Sequence, residues 1–419
     1  MKNVSSSNGL EKRPKLRFPG FDEPWATKQF SDVFSFLSNN TLSRADLISG
    51  GDIQNIHYGD VLIKYGSIID VECDDIPSIA HGKESKGIPY LRDGDVIIAD
   101  TAEDETVGKC CEIININNTM VESGLHTIPC RPMLSFAPMF LGYYMNSHYY
   151  HKQLFPLMQG VKVLSISKSN IGRTQISVPH LCSEQKKIVD LLHLIDIRIR
   201  KQQQIIETLK KYKRGVVREF LVPEMCKLLG VTWSSSKIGD LGKFIKGAPL
   251  SKADISPDGT PFILYGELYT TYNEVITSVV RKTNAKVDEI YYSKIGDVII
   301  PTSGETPEEI STASCVMQKD VILAGDLNIF RSNKVDGRIL SYTLNHIVNT
   351  EIARVAQGKS VVHVQASEIS KIVINYPDAD TQKKMLSVFG AITDKIICAE
   401  KQLGFLNDLR DGLLQQLFI

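Results

Sequence analysis

The chain has 419 residues, of which 42% are hydrophobic, so it can form two or three domains with sizeable apolar cores. Lysine plus arginine and aspartate plus glutamate number 48 each, which excludes a chain-wide electrostatic attraction to nucleic acid and leaves only local basic patches. No apolar run has the length of a membrane-spanning segment. The eight cysteines form no Cys-x-x-Cys pair with metal-ligand spacing, which favours reduced thiols in a cytoplasmic protein.

The first half of the chain begins with residues 1–14, which are rich in Ser, Asn and Lys and lack an apolar segment, so we expect a flexible leader. A module follows over residues 15–180. Its strand-like runs include Asp60 to Tyr65 and Val96 to Ala99, and Pro138 to Leu157 has the apolar spacing of a helix packed on a sheet. These runs predict an α+β module with a mostly antiparallel or mixed sheet.

A sustained heptad pattern over residues 181–222 predicts a long helix with a narrow apolar seam. At about 1.5 Å per residue this helix is roughly 55 to 60 Å long, more than a domain of this size needs to cover its core. Gln202 lies inside the seam, where it either fixes the register of packed helices or is simply tolerated. The predicted seam residues are Ile188, Leu192, Ile195, Ile199, Gln202, Ile206, Leu209 and Val216.

The second half repeats the first half in the same order. Trp233 precedes a similar segment to the one that follows Trp25, and Leu-Ser-Lys-Ala-Asp in the second half corresponds to Leu-Ser-Arg-Ala-Asp in the first. Gly-Asp-Val-Ile-Ile occurs once in each half. The repeat predicts a second module of the same architecture over residues 223–378 and a second long helix over residues 379–419. Its seam residues are Met385, Phe389, Ile392, Ile396, Leu403, Leu406, Leu413 and Leu417.

The short connection between the first long helix and Trp233 determines how the helices run. About a dozen residues cannot carry the chain back along a helix of ~55 Å. If the two seams pack on each other, the helices are antiparallel, with one module at each end and a pseudo-twofold relation between the modules. The modules diverge over Leu47 to Tyr90 and Ile255 to Tyr292, which favours one architecture with two ligands, although simple drift after a duplication is the alternative.

Motifs that would indicate catalysis are weak. Gly358-Lys359-Ser360 resembles the end of a phosphate-binding loop, but Ala353 stands where that loop requires glycine. Pro377 to Asp380, followed by two lysines, resembles a nuclease carboxylate set, but Asp380 or Thr381 there suits a helix cap. The sequence has no Asn-Pro-Pro-aromatic motif, no Gly-x-Gly-x-x-Gly and no His or Cys spacing typical of a metal site. These absences favour a binding protein without a metal.

Several features together resemble the specificity subunit of type I restriction-modification enzymes. They are the two-module repeat, Pro14 to Phe21 before Trp25, the Glu184-Gln185-Lys186-Lys187-Ile188 start of a long helix, and the segment Gly412 to Phe418. The resemblance covers nearly the whole chain. It departs in one place, because the segment before Trp233 does not repeat the Leu16 to Phe21 stretch.

The resemblance implies two target recognition domains, each reading one half of a bipartite double-stranded DNA sequence. It further implies that the paired helices set the spacer and dock two methyltransferase subunits, to which restriction subunits add. This chain is then non-catalytic, and S-adenosylmethionine, ATP and Mg²⁺ belong to the partner subunits. A two-module scaffold that binds protein or carbohydrate is the alternative, and it predicts no steep salt dependence of duplex binding.

Candidate DNA contacts divide into phosphate anchors and base readers. Arg44 and Lys252 occupy matched positions, which suits a contact that does not depend on sequence. Lysines on glycine-opened turns suit phosphate or base contact, and the polar residues after a matched strand suit base reading, although solvated charge and turn chemistry explain them nearly as well. The candidates are Arg44, Lys162, Lys168, Lys252, Lys359, Ser360, Thr101, Thr302 and Ser303.

Overall fold

The computed structural model describes residues 2–3, 13–225, 230–356 and 362–419. The chain forms two compact units, Met1–Gln203 with Gln402–Ile419, and Gln204–Lys401. Two long helices, Cys182–Leu221 and Ala379–Leu417, each contribute one stretch to each unit. They are called the first and the second long helix below.

A five-stranded sheet forms the centre of the first unit. Its last edge strand runs parallel to its neighbour, and the other pairs are antiparallel. In spatial order the strands are Phe34–Phe36, Thr127–Pro132, Val96–Ala99, Cys110–Ile114 and Ile68–Asp70. A smaller mixed sheet contains Met120–Ser123, Ile53–Ile56, Ser78–Ile79 and Leu47–Ile48. Two-stranded pairs join Ala26–Gln29 to Gln175–Val178, Thr101–Ala102 to Leu164–Ser165 and Lys2–Asn3 to Leu16–Arg17.

The second unit repeats the topology of the five-stranded sheet, whereas its smaller sheet has three strands and not four. Its five-stranded sheet again has one parallel edge pair and three antiparallel pairs, in the same order along the sheet. These strands are Gly242–Lys246, Leu327–Ser332, Asp297–Pro301, Ser314–Val316 and Val275–Ile276. The smaller sheet contains Lys282–Thr283, Thr260–Ile263 and Ile322–Leu323, and two-stranded pairs join Trp233–Lys237 to Val373–Pro377 and Ser303–Gly304 to Val362–His363. The predicted α+β repeat is confirmed at the level of strand order and direction.

Short helices and turns complete each unit. The first unit has helices Phe30–Val33, Phe140–Met145, His148–His151 and Lys168–Ile171, 3₁₀ turns Arg44–Asp46 and Phe155–Leu157, and a π-helical turn Asp60–Lys64. The second unit has helices Glu267–Thr270, Pro307–Ile310, Gly337–His346, Asn349–Val355 and Ala366–Ile369, with 3₁₀ turns Ile238–Asp240, Lys252–Asp254 and Glu289–Tyr291.

Two local predictions are wrong. The run Asp60 to Tyr65 contains a π-helical turn and not a strand, because the Tyr65 N–H donates to the Asp60 carbonyl (3.0 Å) and the buried apolar side chains, Val61 and Tyr65, are four residues apart. A short apolar run does not by itself distinguish the two periods. The second wrong prediction is that Asp380 or Thr381 caps the second long helix. Asp378 caps it instead, because the Asp378 carboxylate accepts from the Thr381 N–H (3.0 Å) and hydroxyl (2.9 Å).

In the first unit, the start of the first long helix lies beside the end of the second. Leu192 shares one apolar cluster with Leu417 and Phe418. The Phe418 ring is fully buried, with edge-to-face contacts to the rings of Tyr144 (5.7 Å), Phe140 (5.8 Å) and Trp25 (6.3 Å). The helix stretches in this unit are therefore antiparallel, and an aromatic side chain from residue 418 completes the core of the first module.

In the second unit, the end of the first long helix lies beside the start of the second. Val217 and Leu221 share an apolar cluster with Met385 and Phe389. The ring of Phe389 also contacts that of Tyr342, 4.9 Å away, on a helix of the module. The helix stretches in this unit are again antiparallel.

The sixteen predicted seam residues are all buried or half-buried. Those that are buried are Ile188, Leu192, Ile195, Ile199, Ile206, Met385, Phe389, Ile392, Ile396 and Leu417; those that are half-buried are Gln202, Leu209, Val216, Leu403, Leu406 and Leu413. Gln202 Nε2 donates to Gln402 Oε1 on the second long helix (3.1 Å).

The buried Glu112 and the half-buried Glu274 have pKa values shifted in opposite directions. Burial raises the pKa of Glu112 to about 7, although its carboxylate accepts from the backbone N–H groups of Met139 (2.6 Å) and Gly142 (2.9 Å). Burial also acts to raise the pKa of Glu274, but bonds from His346 (2.7 Å) and Lys213 (2.8 Å) outweigh it and lower that pKa to about 2. Glu274 thereby ties the first long helix to the second module.

Candidate nucleic-acid interface

The matched candidates Arg44 and Lys252 start identical 3₁₀ turns but have different partners. In both turns a serine and an aspartate form a capping box. The Arg44 guanidinium donates two bonds of 2.8 Å to the buried Asp60 carboxylate. In the second module the corresponding acid, Glu267, pairs with Arg281 (2.8 Å), and Lys252 is exposed. Lys252 is thus the more available of the two for a phosphate.

The lysines predicted after Gly160 differ in availability. The turn closes by paired backbone bonds between Gln159 and Ser165 (2.8 and 2.9 Å), and Gly160 has φ +124°, a conformation in which an added Cβ would overlap the Val163 carbonyl. The tip of this hairpin is exposed and carries Lys162. Lys168, by contrast, is half-buried and its Nζ donates to the Leu37 carbonyl (2.8 Å).

Thr101 belongs to a polar cluster at the same edge of the first module. Its strand pairs with Ser165 of the hairpin, and its hydroxyl donates to Asp100 Oδ1 (2.7 Å). The same oxygen lies 3.2 Å from Nδ1 of His126, and the His126 ring packs edge-to-face against Tyr58 at 5.3 Å. The structure thus brings Thr101 and Lys162 to one edge, together with Asp100, His126 and Tyr58.

The second module has a matching arrangement. Thr302 N–H donates to the Asp326 carbonyl (2.7 Å), as Asp100 N–H donates to the His126 carbonyl (3.1 Å). The Thr302 hydroxyl lies 3.5 Å from the Asp326 carboxylate. Ser303 is buried, which removes it from the exposed surface. Lys359 and Ser360 lie outside the described residues.

His126 and Asp326 are not among the candidates predicted from the sequence. They occupy one matched position at the edge of the first and of the second module. Each is the single exposed residue in ten, within residues 121–130 and 321–330, which have the same burial pattern. Each has a left-handed backbone, with φ +54° and φ +58°, which is uncommon outside glycine. No local identity marks them in the sequence, and only the matched strands reveal them.

A second repeated element also escaped the sequence analysis, although a signal was present. Ile56 to Tyr65 and Ile263 to Tyr272 share Ile, Tyr, Gly and Tyr at the same spacing, with an acidic residue after the glycine. The structure places both directly after the parallel strand pair of the smaller sheet. This element lies inside the stretches Leu47 to Tyr90 and Ile255 to Tyr292, so the predicted divergence of these stretches is incomplete.

The electrostatic surroundings of the two edges differ. In the first module, burial and the charge of Arg44 lower the pKa of His57, next to Tyr58. In the second module, burial together with Tyr265 and the carboxylates of Glu309, Glu305 and Asp326 raises the pKa of Tyr269 to about 12. Three carboxylates thus act on Tyr269 in the second module, whereas the charge of Arg44 acts on His57 in the first.

Among residues 13–225, 230–356 and 362–419, no cluster of three His, Cys, Asp or Glu side chains has the arrangement of a metal site. In the same part of the chain, no helix combines the length and apolar character needed to cross a membrane.

Comparisons with known proteins agree with this architecture. A family model for the type I restriction modification DNA specificity domain matches residues 22–211 and again residues 230–403. The chain is 22% identical over 419 aligned positions to the protein assigned as the MjaX type I restriction enzyme specificity subunit of Methanocaldococcus jannaschii, covering 91% of this chain and 89% of that relative. It is 25% identical over 190 positions to the MjaVIII specificity subunit of the same organism, covering 44% of this chain and 42% of the relative.

Two solved structures share the fold. The S subunit of a type I restriction-modification system from M. genitalium has a TM-score of 0.54 at 13% identity, and the alignment covers 97% of this chain and 99% of that one. A chain from a structure of type I R-M complex assembly and conformational transition has a TM-score of 0.60 at 14% identity, with the same coverage of 97% and 99%.

Proposed function

We propose that this chain, which belongs to the type I restriction modification DNA specificity family, reads a bipartite double-stranded DNA target with one half assigned to each module. Members of the family are the DNA-recognition, non-catalytic components of type I restriction systems, so DNA and the other subunits of the complex are its partners. The observation that supports the bipartite assignment is that both units build the same sheet, with the same strand order and directions, and present different side chains at the matched edge.

In this proposal residues 15–180 and 223–378 are the recognition domains, and residues 181–222 and 379–419 set the spacer and dock two methyltransferase subunits. The antiparallel packing of the helix stretches within each unit supports this role. Restriction subunits join through the complex, and S-adenosylmethionine, ATP and Mg²⁺ are held by the partners. The place of action is the cytoplasm, where the target DNA of such a system lies.

The exposed lysines of the matched edges are the proposed phosphate contacts. Lys162 and Lys252 are exposed and suit this role, whereas Arg44 and Lys168 have intramolecular partners that they would have to share. Each phosphate contact that is removed should reduce the slope of log K against log salt by about 1. Lys162→Gln should therefore weaken binding to all duplexes about equally, without changing which sequence is preferred.

An exchange of modules tests the bipartite assignment. The stretch from Trp233 to Tyr376 is replaced by that of another specificity subunit, the complete complex is expressed, and modified adenines are mapped across a genome. One half of the target should change while the other half persists. If both halves change, or neither does, the modules do not read separate halves.

Insertion of one heptad into the first long helix tests the spacer role. The seam remains continuous because seven residues preserve its period. We expect an altered distance between the two half-sites or loss of assembly with the methyltransferase subunits. An insertion variant with full activity and an unaltered spacer would contradict the idea that these helices set the distance.

A further inference from the structure

The turn that precedes the long inner strand of the five-stranded sheet presents one exposed side chain in each module. In the first module this side chain is His126, before Thr127–Pro132; in the second it is Asp326, before Leu327–Ser332. The surrounding backbone is the same in both, since Asp100 and Thr302 make the equivalent bond to this residue's carbonyl. The scaffold is therefore repeated while the displayed side chain differs.

Matched positions inside the scaffold carry the same chemistry, which makes this difference informative. Arg131 pairs with Asp95 (2.7 Å) and Arg331 pairs with Asp297 (3.1 Å), at equivalent places on the same strands. A repeated residue suits a structural task that is the same in both modules. A position with the same backbone and exposure but a different functional group suits a task that differs between the modules, such as reading a different base.

The two side chains differ in how closely their neighbours hold them. The His126 ring is held by Asp100 through Nδ1 (3.2 Å) and by the Tyr58 ring, yet about 47% of the side chain is exposed. Asp326 is exposed beside the Thr302 hydroxyl, 3.5 Å away. Both residues have a left-handed backbone conformation, which costs free energy and persists because the surrounding turn holds it. The His126 ring, held on two sides, loses little further entropy when it binds.

Asp326 offers a hydrogen-bond acceptor, and His126 does so in the tautomer that donates Nδ1–H to Asp100. A neutral histidine that donates its Nδ1–H to Asp100 has Nε2 as its acceptor nitrogen, and an aspartate carboxylate only accepts. In the major groove the exocyclic amino groups of adenine and cytosine are the base-edge donors, and carboxylates pair with the amino group of cytosine.

Resting on the function proposed above, we propose that His126 and Asp326 are specificity-determining residues, each accepting a hydrogen bond from the exocyclic amino group of a base in its own half of the target.

The test substitutes each residue in the full chain, in the complete complex, and maps the modified adenines. His126→Ala should relax discrimination at one base position of one half-site by at least about fivefold, with the other half unchanged. Asp326→Ala should do the same in the opposite half. His126→Asp keeps a residue that tolerates the left-handed backbone and should shift the preference at the same position toward cytosine.

Matched controls separate this effect from a disturbed turn. Asn117 (φ +48°) and Asp320 (φ +60°) are also exposed, left-handed, non-glycine residues, but they precede the strands that lead into the two turns and so lie at the opposite end of those strands. Asn117→Ala and Asp320→Ala should leave recognition unaltered. Copurification of the methyltransferase subunits and the unfolding midpoint check that every variant is folded and assembled.

A second measurement probes the amino group directly. Once the relaxed base is mapped, a duplex that carries an analogue without that amino group should bind the parent complex at least about fivefold more weakly and the His126→Ala complex no more weakly. Unaltered recognition in both alanine variants overturns the inference, as does a uniform loss of modification at all sites by an assembled complex. The module exchange is read independently, so it can still succeed when these variants fail.

Discussion

Phe418→Ala should destabilise the first unit strongly, because it empties a site that three aromatic rings enclose. Phe418 has no exposed surface and lies 5.7 to 6.3 Å from the ring centroids of Tyr144, Phe140 and Trp25. Truncation of a fully buried phenylalanine costs about 3–5 kcal/mol. At about 2–4 °C per kcal/mol for a unit of this size, the melting temperature of the unit should fall by roughly 6–20 °C.

The chain contains a convenient reporter for this measurement. It has two tryptophans, Trp25 in the first unit and Trp233 in the second. In a Trp233→Phe background, the fluorescence of Trp25 follows urea unfolding of the first unit alone, and Phe418 touches that indole. Linear extrapolation then gives the free energy of unfolding for parent and variant.

The matched control is Phe405→Ala, on the long helix that ends directly before Phe418. The Phe405 side chain is 73% exposed, so this substitution should change the free energy of unfolding by no more than about 0.5 kcal/mol. If Phe418→Ala costs less than about 1 kcal/mol, or no more than Phe405→Ala, the second long helix does not complete the core of the first module.

Three further predictions use the same pair of indole reporters. The folded state holds the Glu112 proton more tightly than the unfolded chain, so the free energy of unfolding of the first unit should decrease as pH rises from about 4.5 to about 7. Glu112→Gln should abolish most of this decrease. If the decrease persists in Glu112→Gln, Glu112 is not its source. The pKa of Glu274 is shifted in the opposite direction, so its contribution to stability is present above about pH 4.5 and is lost as pH falls toward about 2. At neutral pH, Glu274→Gln should cost about 3–5 kcal/mol because it leaves Lys213 buried without its carboxylate, and the fluorescence of Trp233 reports this loss. Gly142→Ala should cost about 1–3 kcal/mol because the new methyl overlaps the Ser67 carbonyl, just before the edge strand. Gly412→Ala, with open space around it, should instead stabilise its helix by up to about 1 kcal/mol, and equal effects would show that packing at Gly142 is looser than described.

The sequence predicts the large-scale organisation well because the signals for it are periodic or repeated. Apolar seam residues recur every three to four positions from Ile188 in the first long helix and from Met385 in the second, a period that is typical of a helix. The matched pentapeptides around Arg44 and Lys252 fold into identical capped turns, since a capping box needs only residues that are three apart in the chain.

The sequence does not determine which side chains form ion pairs when the two residues are far apart in the chain. Arg44 was a candidate for phosphate contact, but the fold brings the Asp60 carboxylate within 2.8 Å of its guanidinium. Lys213 lies on the first long helix, and the fold supplies Glu274 from the second module as its partner. An ion pair depends on positions in space, which heptad spacing and residue type do not specify.

The residues proposed to read DNA illustrate the same limit. His126 and Asp326 differ in type and have no shared sequence signature, so comparison of the two halves of the sequence passes over them. Only the superimposable strands, hydrogen bonds and left-handed backbone identify them as one position. The sequence alone determined two α+β modules, two long helices and their antiparallel packing, because each follows from local periodicity or from the length of a linker. The tertiary structure decided which side chains meet at the edge of each module, because strand pairing and loop closure bring together residues that are 24 to 26 positions apart in the chain.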